Sequence, residues 1–348
     1  MRELLDDLYV SESASLEEVN DRLYAAGLTD GLPVVPPTPA RVRRLYTCAA
    51  MDPAEYVGTL EPALAPIRVY QLAVCAVMAG CAPEQLPLLV AAVRALGEPA
   101  FNLLGIQTTT GSAAPVLIAN GPGAATAGIN GGRNCLGPGQ RGNATLGRAL
   151  RLVLQDLGGG SPEGMDMATM GQPAKFGLCF AENEVRSPWE PLHVERGFAP
   201  EATVVTLAGI AGTVEVVHGA NADAEEILLS MAHSMTIAGN AGSAGLLGGG
   251  EPLVVLSYEH AQAVAAAGMS KLDAKRFLFE HARLPLSLLG RGMGAGQRGR
   301  SEGEELRVAL SPEDIMIVVA GGVGVKSTYM PTWGGGTKAQ SAAVRLCN

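Results

Sequence analysis

Residues 114–128, "APVLIANGPGAATAG", decide the fold class of this chain. They begin with a short apolar run of the kind that forms a buried strand. Gly121 and Pro122 then predict a sharp turn, and the alanine-rich residues after them predict a helix. Upstream, the apolar residues 88–96 ("LLVAAVRAL") indicate another helix. Short apolar strands that lie between helices predict an α/β fold.

The same order of patterns returns in the second half of the chain. Residues 227–235 ("ILLSMAHSM") predict an apolar helix, and residues 251–268 ("EPLVVLSYEHAQAVAAAG") predict a strand, a turn and an alanine-rich helix. The repeat is either a duplication or the ordinary alternation of an α/β protein. A duplication predicts two similar lobes with a site between them. We therefore expect an N-terminal helical arm (residues 1–50), a first α/β lobe with a glycine-rich anion loop (51–200) and a second α/β lobe (201–348).

The composition of the chain excludes several classes of protein. The 348 residues are 47% hydrophobic and 17% charged, which allows a large core and argues against global disorder. A net charge of −9 argues against a broad nucleic-acid surface. The acidic N-terminus lacks the apolar segment of a signal peptide, and no apolar run approaches the roughly 18 residues of a membrane span. The sequence thus predicts a cytoplasmic protein without nucleic-acid or membrane partners, whose alanine- and glycine-rich apolar helices form a homo-oligomer.

A glycine-rich loop precedes a predicted helix in residues 128–152, "GINGGRNCLGPGQRGNATLGRALRL". Helix N-termini expose unpaired N–H groups and carry partial positive charge, so they attract anions. We expect Asn143 to cap this helix and, together with Arg141 and Arg148, to bind the carboxylate or phosphate of a substrate. The spacing is neither that of a P-loop nor that of the dinucleotide fingerprint, so no cofactor is expected. The alternative is a loop that simply turns a corner, with its arginines paired to nearby acids.

Cys135 lies inside the same loop and is a candidate nucleophile. Nearby arginines and helix N–H groups predict a lowered thiol pKa. A nucleophilic cysteine also needs a base, and no histidine is close to Cys135 in sequence. The alternative is a passive thiol. The six cysteines of the chain form no CxxC pair and lack zinc spacing, so we expect reduced thiols and no metal site.

Acid–base chemistry is predicted for Glu182, which follows an apolar run in residues 179–198, "CFAENEVRSPWEPLHVERGF". A carboxyl that is partly buried there has a raised pKa and serves as a general acid or base. The alternative is a solvated acidic turn. His260 follows a predicted strand, where α/β sites usually gather, and is a further catalytic candidate. Four polar residues near strand ends and glycine turns are candidates for substrate binding: Asn120, Asn130, Lys326 and Ser327.

Five stretches resemble a family of bacterial proteins that is uncharacterised: "LTDGLPVVPPTPARV", "MAGCAPEQLPLLVAA", "GNATLGRALRL", "AENEVRSPWEPLHVERGF" and "IVVAGGVG". The resemblance covers most of the chain. Members are encoded near small proteins with a Cys-Gly-Ser-Cys or selenocysteine-Gly-Ser-Cys motif, which implies a redox or thiol partner protein. The family implies no settled activity, and Cys135 departs from the small apolar residue that is more usual in it.

Together these features predict an enzyme, a lyase or hydrolase, that acts on a small anionic organic substrate. The glycine-rich loop would bind the carboxylate or phosphate, and Glu182 would be the acid–base residue. Asn120 and His260 would orient the substrate. The alternative function is a non-catalytic subunit that binds a substrate and works with a thiol-active partner protein.

Overall fold

The computed structural model of the protein describes residues 14–162, 164–219, 223–237, 239–240, 250–289 and 305–345. Within them the chain has the predicted α/β fold. Its α-helices are α1 (Leu16–Ala25), α2 (Pro39–Cys48), α3 (Val69–Ala79), α4 (Leu86–Leu96), α5 (Leu103–Thr108), α6 (Pro122–Thr126), α7 (Arg141–Leu152), α8 (Leu192–Glu195), α9 (Ala224–Met235), α10 (Tyr258–Ala266) and α11 (Lys271–His281). Its strands are β1 (Tyr56–Thr59), β2 (Pro66–Arg68), β3 (Ala114–Asn120), β4 (Cys179–Ala181), β5 (Val204–Ile210), β6 (Val214–Val217), β7 (Leu253–Leu256), β8 (Arg283–Pro285), β9 (Glu305–Arg307), β10 (Met316–Val319), β11 (Lys326–Met330) and β12 (Gln340–Ala343). The start of the predicted N-terminal arm, residues 1–13, and Cys347 lie outside the described residues.

Helix ends follow local sequence signals. Ser15 caps α1, and the Glu18 side chain accepts the N–H of Ser15 in return. Ser270 and Asp273 form the same capping box at α11. Gly80 ends α3 in the left-handed conformation, with φ 85°. Serine at the start and glycine at the end are the residues that favour such helix boundaries.

Two four-stranded sheets form the centre of the molecule. The first has the order β12-β5-β3-β4 and the second the order β6-β11-β7-β10. In both sheets the last two strands are parallel and the other neighbours are antiparallel. The two parallel strand pairs also end in the same way. Ala119 lies opposite Ala181, the last residue of β4, and Leu256, the last residue of β7, lies opposite Val319, the last residue of β10. The repeated order of sequence patterns thus corresponds to two sheets of the same topology.

Each sheet contains one strand whose neighbour in sequence belongs to the other sheet. β6 follows β5 of the first sheet but pairs with β11 of the second, and β12 follows β11 but pairs with β5. An antiparallel bridge between Ile210 and Thr332 joins the chain at the point of this exchange. The lobe boundary predicted at residue 200 therefore does not separate the two sheets, because β5 and β12 both belong to the first.

The sheets pack face to face between two layers of helices. Side chains alternate between the faces of a strand. Val116 and Val318 point into the apolar cluster between the sheets. Leu117 packs on the other face of the first sheet with the core of α3, α4 and α7, while Ile317 packs on the other face of the second sheet with the core of α9, α10 and α11. The order of layers is helix, sheet, sheet, helix.

The most apolar helices lie in the first helical layer. In each of α3 and α4, 10 of the 11 residues are buried. Across the described part of the chain, no single helix combines the length and apolar character needed to cross a membrane. The helical segments Pro83–Leu96 and Pro99–Thr108 meet that test only as a pair, which is bent by 78°.

Candidate functional site

Asn120 and Glu182 meet at the carboxyl ends of β3 and β4. These strands are parallel, so the residues that follow them lie at the same edge of the sheet. The side-chain nitrogen of Asn120 donates to Oε2 of Glu182 over 2.8 Å. Asn120 is 0% exposed and Glu182 is 6% exposed. Two residues that the sequence nominates separately are thus direct partners in a buried polar cluster.

The two carboxylate oxygens of Glu182 have different surroundings. Oε2 also accepts the backbone N–H of Leu192 over 2.8 Å. Oε1 is buried and has no hydrogen-bond partner among the described residues. Burial raises the pKa of Glu182, while the charge of Lys271 and the two hydrogen bonds oppose the shift. This carboxyl group is held in one orientation and retains its proton to a higher pH than an exposed glutamate does.

Glu184 and His193 complete the cluster around Asn120. Oε1 of Glu184 accepts from the Asn120 side chain over 2.9 Å and from the N–H of Gly121 over 2.7 Å. His193 is fully buried, with Nδ1 3.9 Å from that same oxygen. We call Asn120, Glu182, Glu184 and His193 the strand-end cluster. The sequence signal for Glu184 and His193 is present in "ENE" and "LHVE", but only the fold brings these stretches together.

The second half of the chain adds a cation to this region. Lys271, the first residue of α11, donates to the carbonyl of Glu190 over 2.7 Å and to the carboxylate of Glu195 over 3.1 Å. Its ammonium is buried and acts on Glu182 through its charge. The described residues contain no group of three or more His, Cys, Asp or Glu side chains arranged to hold a metal ion.

Asn143 closes the glycine-rich loop onto itself. Its side-chain oxygen accepts the N–H of Asn130 over 2.7 Å, and its nitrogen donates to the carbonyls of Asn130 and Cys135 over 2.9 and 3.0 Å. The prediction that Asn143 caps the helix is wrong, because α7 begins at Arg141 with Gln140 as its N-cap residue. The Asn143 side chain instead links two parts of the loop through its hydrogen bonds.

The loop joins the ends of the two sheets. The carbonyl of Asn130 accepts the N–H of Ala181, the last residue of β4, over 3.2 Å. The carbonyl of Gly131 accepts the N–H of Gly321, which lies just beyond β10, over 2.9 Å. A Cβ at Gly131 would lie 2.3 Å from the carbonyl oxygen of Ala181. Glycine is required there because two backbones touch. The loop therefore packs directly against the backbone that carries Glu182.

Cys135 lies in the apolar cluster between the sheets and is 5% exposed. The expectation of a lowered thiol pKa is wrong. Burial raises the pKa of Cys135, and the N–H groups of Gly321 and Leu136 oppose that shift only in part. Desolvation disfavours the thiolate more than the neighbouring dipoles favour it, so this thiol is not poised as a nucleophile.

Arg141 and Arg148 bind other parts of the protein. Arg141 donates through Nε and Nη2 to the carbonyl of Gly80, which ends α3. Arg148 forms a two-pronged ion pair with Asp30, with both N···O distances at 2.8 Å. It also donates to the carbonyls of Leu32 and Pro33. The structure thus gives both guanidinium groups partners within the protein, and Arg148 anchors the segment between α1 and α2.

His260 and Ser327 form a second buried pair, at the ends of the second sheet. Nδ1 of His260 lies 2.8 Å from Oγ of Ser327, and this oxygen also accepts the N–H of Ser257 over 3.0 Å. Burial lowers the pKa of His260, which keeps the imidazole neutral. Lys326 is exposed and lies 3.5 Å from Glu215, so it does not join this pair.

Comparison of the chain with protein-family models, with curated proteins and with solved structures found no match. The resemblance carried by the five sequence stretches stays a prediction. The geometry of the strand-end cluster and the loop beside it is therefore the basis for a functional proposal.

Proposed function

We propose that the protein is a lyase or hydrolase that acts on a small anionic organic substrate, with Glu182 as its general acid and base. One observation carries this proposal. A buried carboxyl at the ends of two parallel strands has one oxygen fixed by two donors, and its other oxygen has no hydrogen-bond partner among the described residues. Carboxyl groups with a perturbed pKa are concentrated at functional sites, and ligands of open α/β sheets bind beyond the carboxyl ends of the strands.

The fixed and the unpartnered oxygen have separate roles in this mechanism. Asn120 and the N–H of Leu192 hold Oε2 and set the plane of the carboxyl group. Oε1 carries the proton and gives it to the leaving atom of the substrate as the bond breaks. The resulting carboxylate takes a proton back from the next reacting group, which is water in a hydrolase. A raised pKa favours the protonated form that the first of these steps needs.

Arg133 is the cation that we assign to the charged group of the substrate. It is exposed and forms no ion pair with a carboxylate of the described residues. Arg133 comes two residues after Gly131, which packs against the backbone of Glu182. The Cβ of Arg133 would lie 2.8 Å from a Cβ added at Gly322. The guanidinium fork suits a carboxylate or a phosphate. Arg141 and Arg148 are not part of this site.

A non-catalytic subunit that works with a thiol-active partner protein is the second candidate. It is favoured by the burial of four of the five described cysteines, Cys75, Cys81, Cys135 and Cys179. Burial raises the pKa of each of these thiols. In this reading a partner supplies the reactive thiol, and the chain described here binds the substrate.

Metabolite profiling tests the choice between the two functions. The purified protein is incubated with a mixture of small carboxylates and phosphate esters, and substrate loss is followed by mass spectrometry. We expect turnover by the wild type, a loss of about 100-fold or more in Glu182→Gln, and weaker binding in Arg133→Ala. Glu201→Gln removes an exposed carboxylate and is the matched control. Turnover by Glu182→Gln at the wild-type rate would overturn the assignment, and binding without turnover would support the non-catalytic subunit.

A further inference from the structure

A cleft of about 270 Å³ lies on the first helical layer, and none of the residues that line it belongs to the strand-end cluster. Its walls come from the segment before α2, from α2, from the end of α3 and from the start of α7. Three arginines line it: Arg41, Arg44 and Arg141. Arg41 and Arg44 are three residues apart in α2 and so lie on the same face of that helix.

Backbone carbonyls orient two of these arginines without neutralising them. Arg41 donates through Nη1 to the carbonyl of Pro36 over 3.0 Å. Arg141 donates to the carbonyl of Gly80 over 3.2 and 2.9 Å. Arg44 is exposed and has no hydrogen bond or ion pair within the part of the chain that the structure describes. Among the same residues, none of the three pairs with a carboxylate.

No carboxylate of the described residues balances the three guanidinium groups in this concave space, so their charges repel each other and an anion between them removes that repulsion. The chain as a whole carries a net charge of −9, whereas the charged residues that line this cleft are all arginines. Planar guanidinium groups form paired hydrogen bonds with the oxygens of phosphate. A dianion matches three cations better than a single carboxylate does.

We propose that this cleft binds the phosphate group of a small phosphate monoester. Arg41, Arg44 and Arg141 would contact the phosphate oxygens. The apolar part of the cleft, which includes Val35 and Leu45, would pack against the organic part of the ligand. The volume is just below the range of about 300–1,000 Å³ that is typical of sites for drug-sized ligands, so the ligand is small. Binding here requires neither Glu182 nor Arg133.

Isothermal titration calorimetry of the full chain tests this site at fixed ionic strength. The probes are inorganic phosphate and glycerol 3-phosphate, with malonate as a carboxylate of the same charge. We expect the phosphate probes to bind more tightly than malonate. Arg44→Ala should weaken phosphate binding by about tenfold or more, since a charged hydrogen-bond partner is lost. Because Arg44 has no hydrogen bond or ion pair within the described residues and its charge is repelled by the other two arginines, its loss should not lower the melting temperature of the free protein.

Two controls separate this site from general charge effects and from the proposed enzyme site. Arg43→Ala removes the same charge from the same helix but from a residue that does not line the cleft, so it should bind phosphate like the wild type. Glu182→Gln should also bind phosphate normally, whether or not it abolishes turnover. Equal affinities of Arg44→Ala and wild type, equal losses in Arg43→Ala and Arg44→Ala, tighter binding of malonate, or no binding of either phosphate probe would each overturn the proposal.

Discussion

The side-chain nitrogen of Asn120 lies 2.8 Å from Oε2 of Glu182, and the two residues stand at the ends of adjacent parallel strands. The same nitrogen lies 2.9 Å from Oε1 of Glu184. One amide thus holds the buried carboxyl of Glu182 and the half-buried carboxyl of Glu184 close together. Burial, and to a smaller extent the charge of Glu184, favours the protonated form of Glu182.

The first prediction concerns the pH dependence of stability. Because the pKa of Glu182 is raised in the native state, the native state binds this proton more tightly than the unfolded chain does. The free energy of unfolding should therefore fall as the pH rises from the ordinary glutamate pKa, about 4.3, to the raised native value. Glu182→Gln removes this contribution. The wild type should lose stability relative to Glu182→Gln by at most about 1.4 kcal/mol per pH unit in that window.

Urea denaturation of both proteins across a series of pH values measures this difference. The comparison with Glu182→Gln cancels the effect of Asp156, another buried carboxyl with a raised pKa. Glu201→Gln, at an exposed position, should follow the wild-type profile. The free energy of unfolding of the wild type minus that of Glu182→Gln should fall with pH in that window, and a value that stays constant or rises contradicts the assigned direction of the pKa shift.

The second prediction concerns the contact between the loop and β4. Gly131→Ala would place a Cβ 2.3 Å from the carbonyl oxygen of Ala181, so one of the two backbones must move. We expect a loss of about 2 kcal/mol in the free energy of unfolding, together with weaker turnover because Glu182 follows Ala181. Gly212→Ala is the matched control, since its Cβ meets nothing within 4 Å, and it should stay within about 0.5 kcal/mol of wild type. Similar stabilities of the two variants in urea would refute the close contact.

Local sequence signals predict the parts of the fold that depend on neighbouring residues. The apolar run of β3 and the capping residue Ser270 are examples, because strand burial and helix capping act over a few residues. For Asn120 and Glu182, the sequence predicts only that each residue lies at the end of an apolar strand. The common edge of the sheet then brings them together.

Long-range pairing is the part that local patterns do not encode. β12, "QSAA", has little strand character of its own and forms because β5 offers an unpaired edge. Arg148 binds Asp30, which is 118 residues away in the chain. The sequence allows Arg148 to bind either a substrate anion or a nearby acid, and only the tertiary structure identifies that acid as Asp30.

The third prediction concerns Asn143, whose side chain makes three hydrogen bonds within the loop. Asn143→Ala removes the partner of the Asn130 N–H and of the buried Cys135 carbonyl, while the carbonyl of Asn130 keeps the N–H of Ala181. We expect a loss of about 2–4 kcal/mol in the free energy of unfolding, measured in urea. Gln140→Ala is the control on the same loop, because Gln140 is exposed and its side chain makes no capping bond. A loss below about 0.5 kcal/mol in Asn143→Ala would mean that the loop does not depend on this side chain.

The fourth prediction separates a structural role of Arg148 from substrate binding. The Asp30 side chain is 3% exposed, so Arg148→Ala leaves a buried carboxylate without its partner. We expect a loss of about 3 kcal/mol in the free energy of unfolding. In a double-mutant cycle with Asp30→Asn, the two losses should add up to more than the loss in the double variant, by about 1–3 kcal/mol. Any ligand that raises the melting temperature of the wild type should raise that of Arg148→Ala by a similar amount, because the substitution lowers stability without removing a contact to the ligand. If the two losses of stability are additive and the ligand no longer raises the melting temperature of Arg148→Ala, Arg148 is instead the anion-binding residue that the sequence predicts.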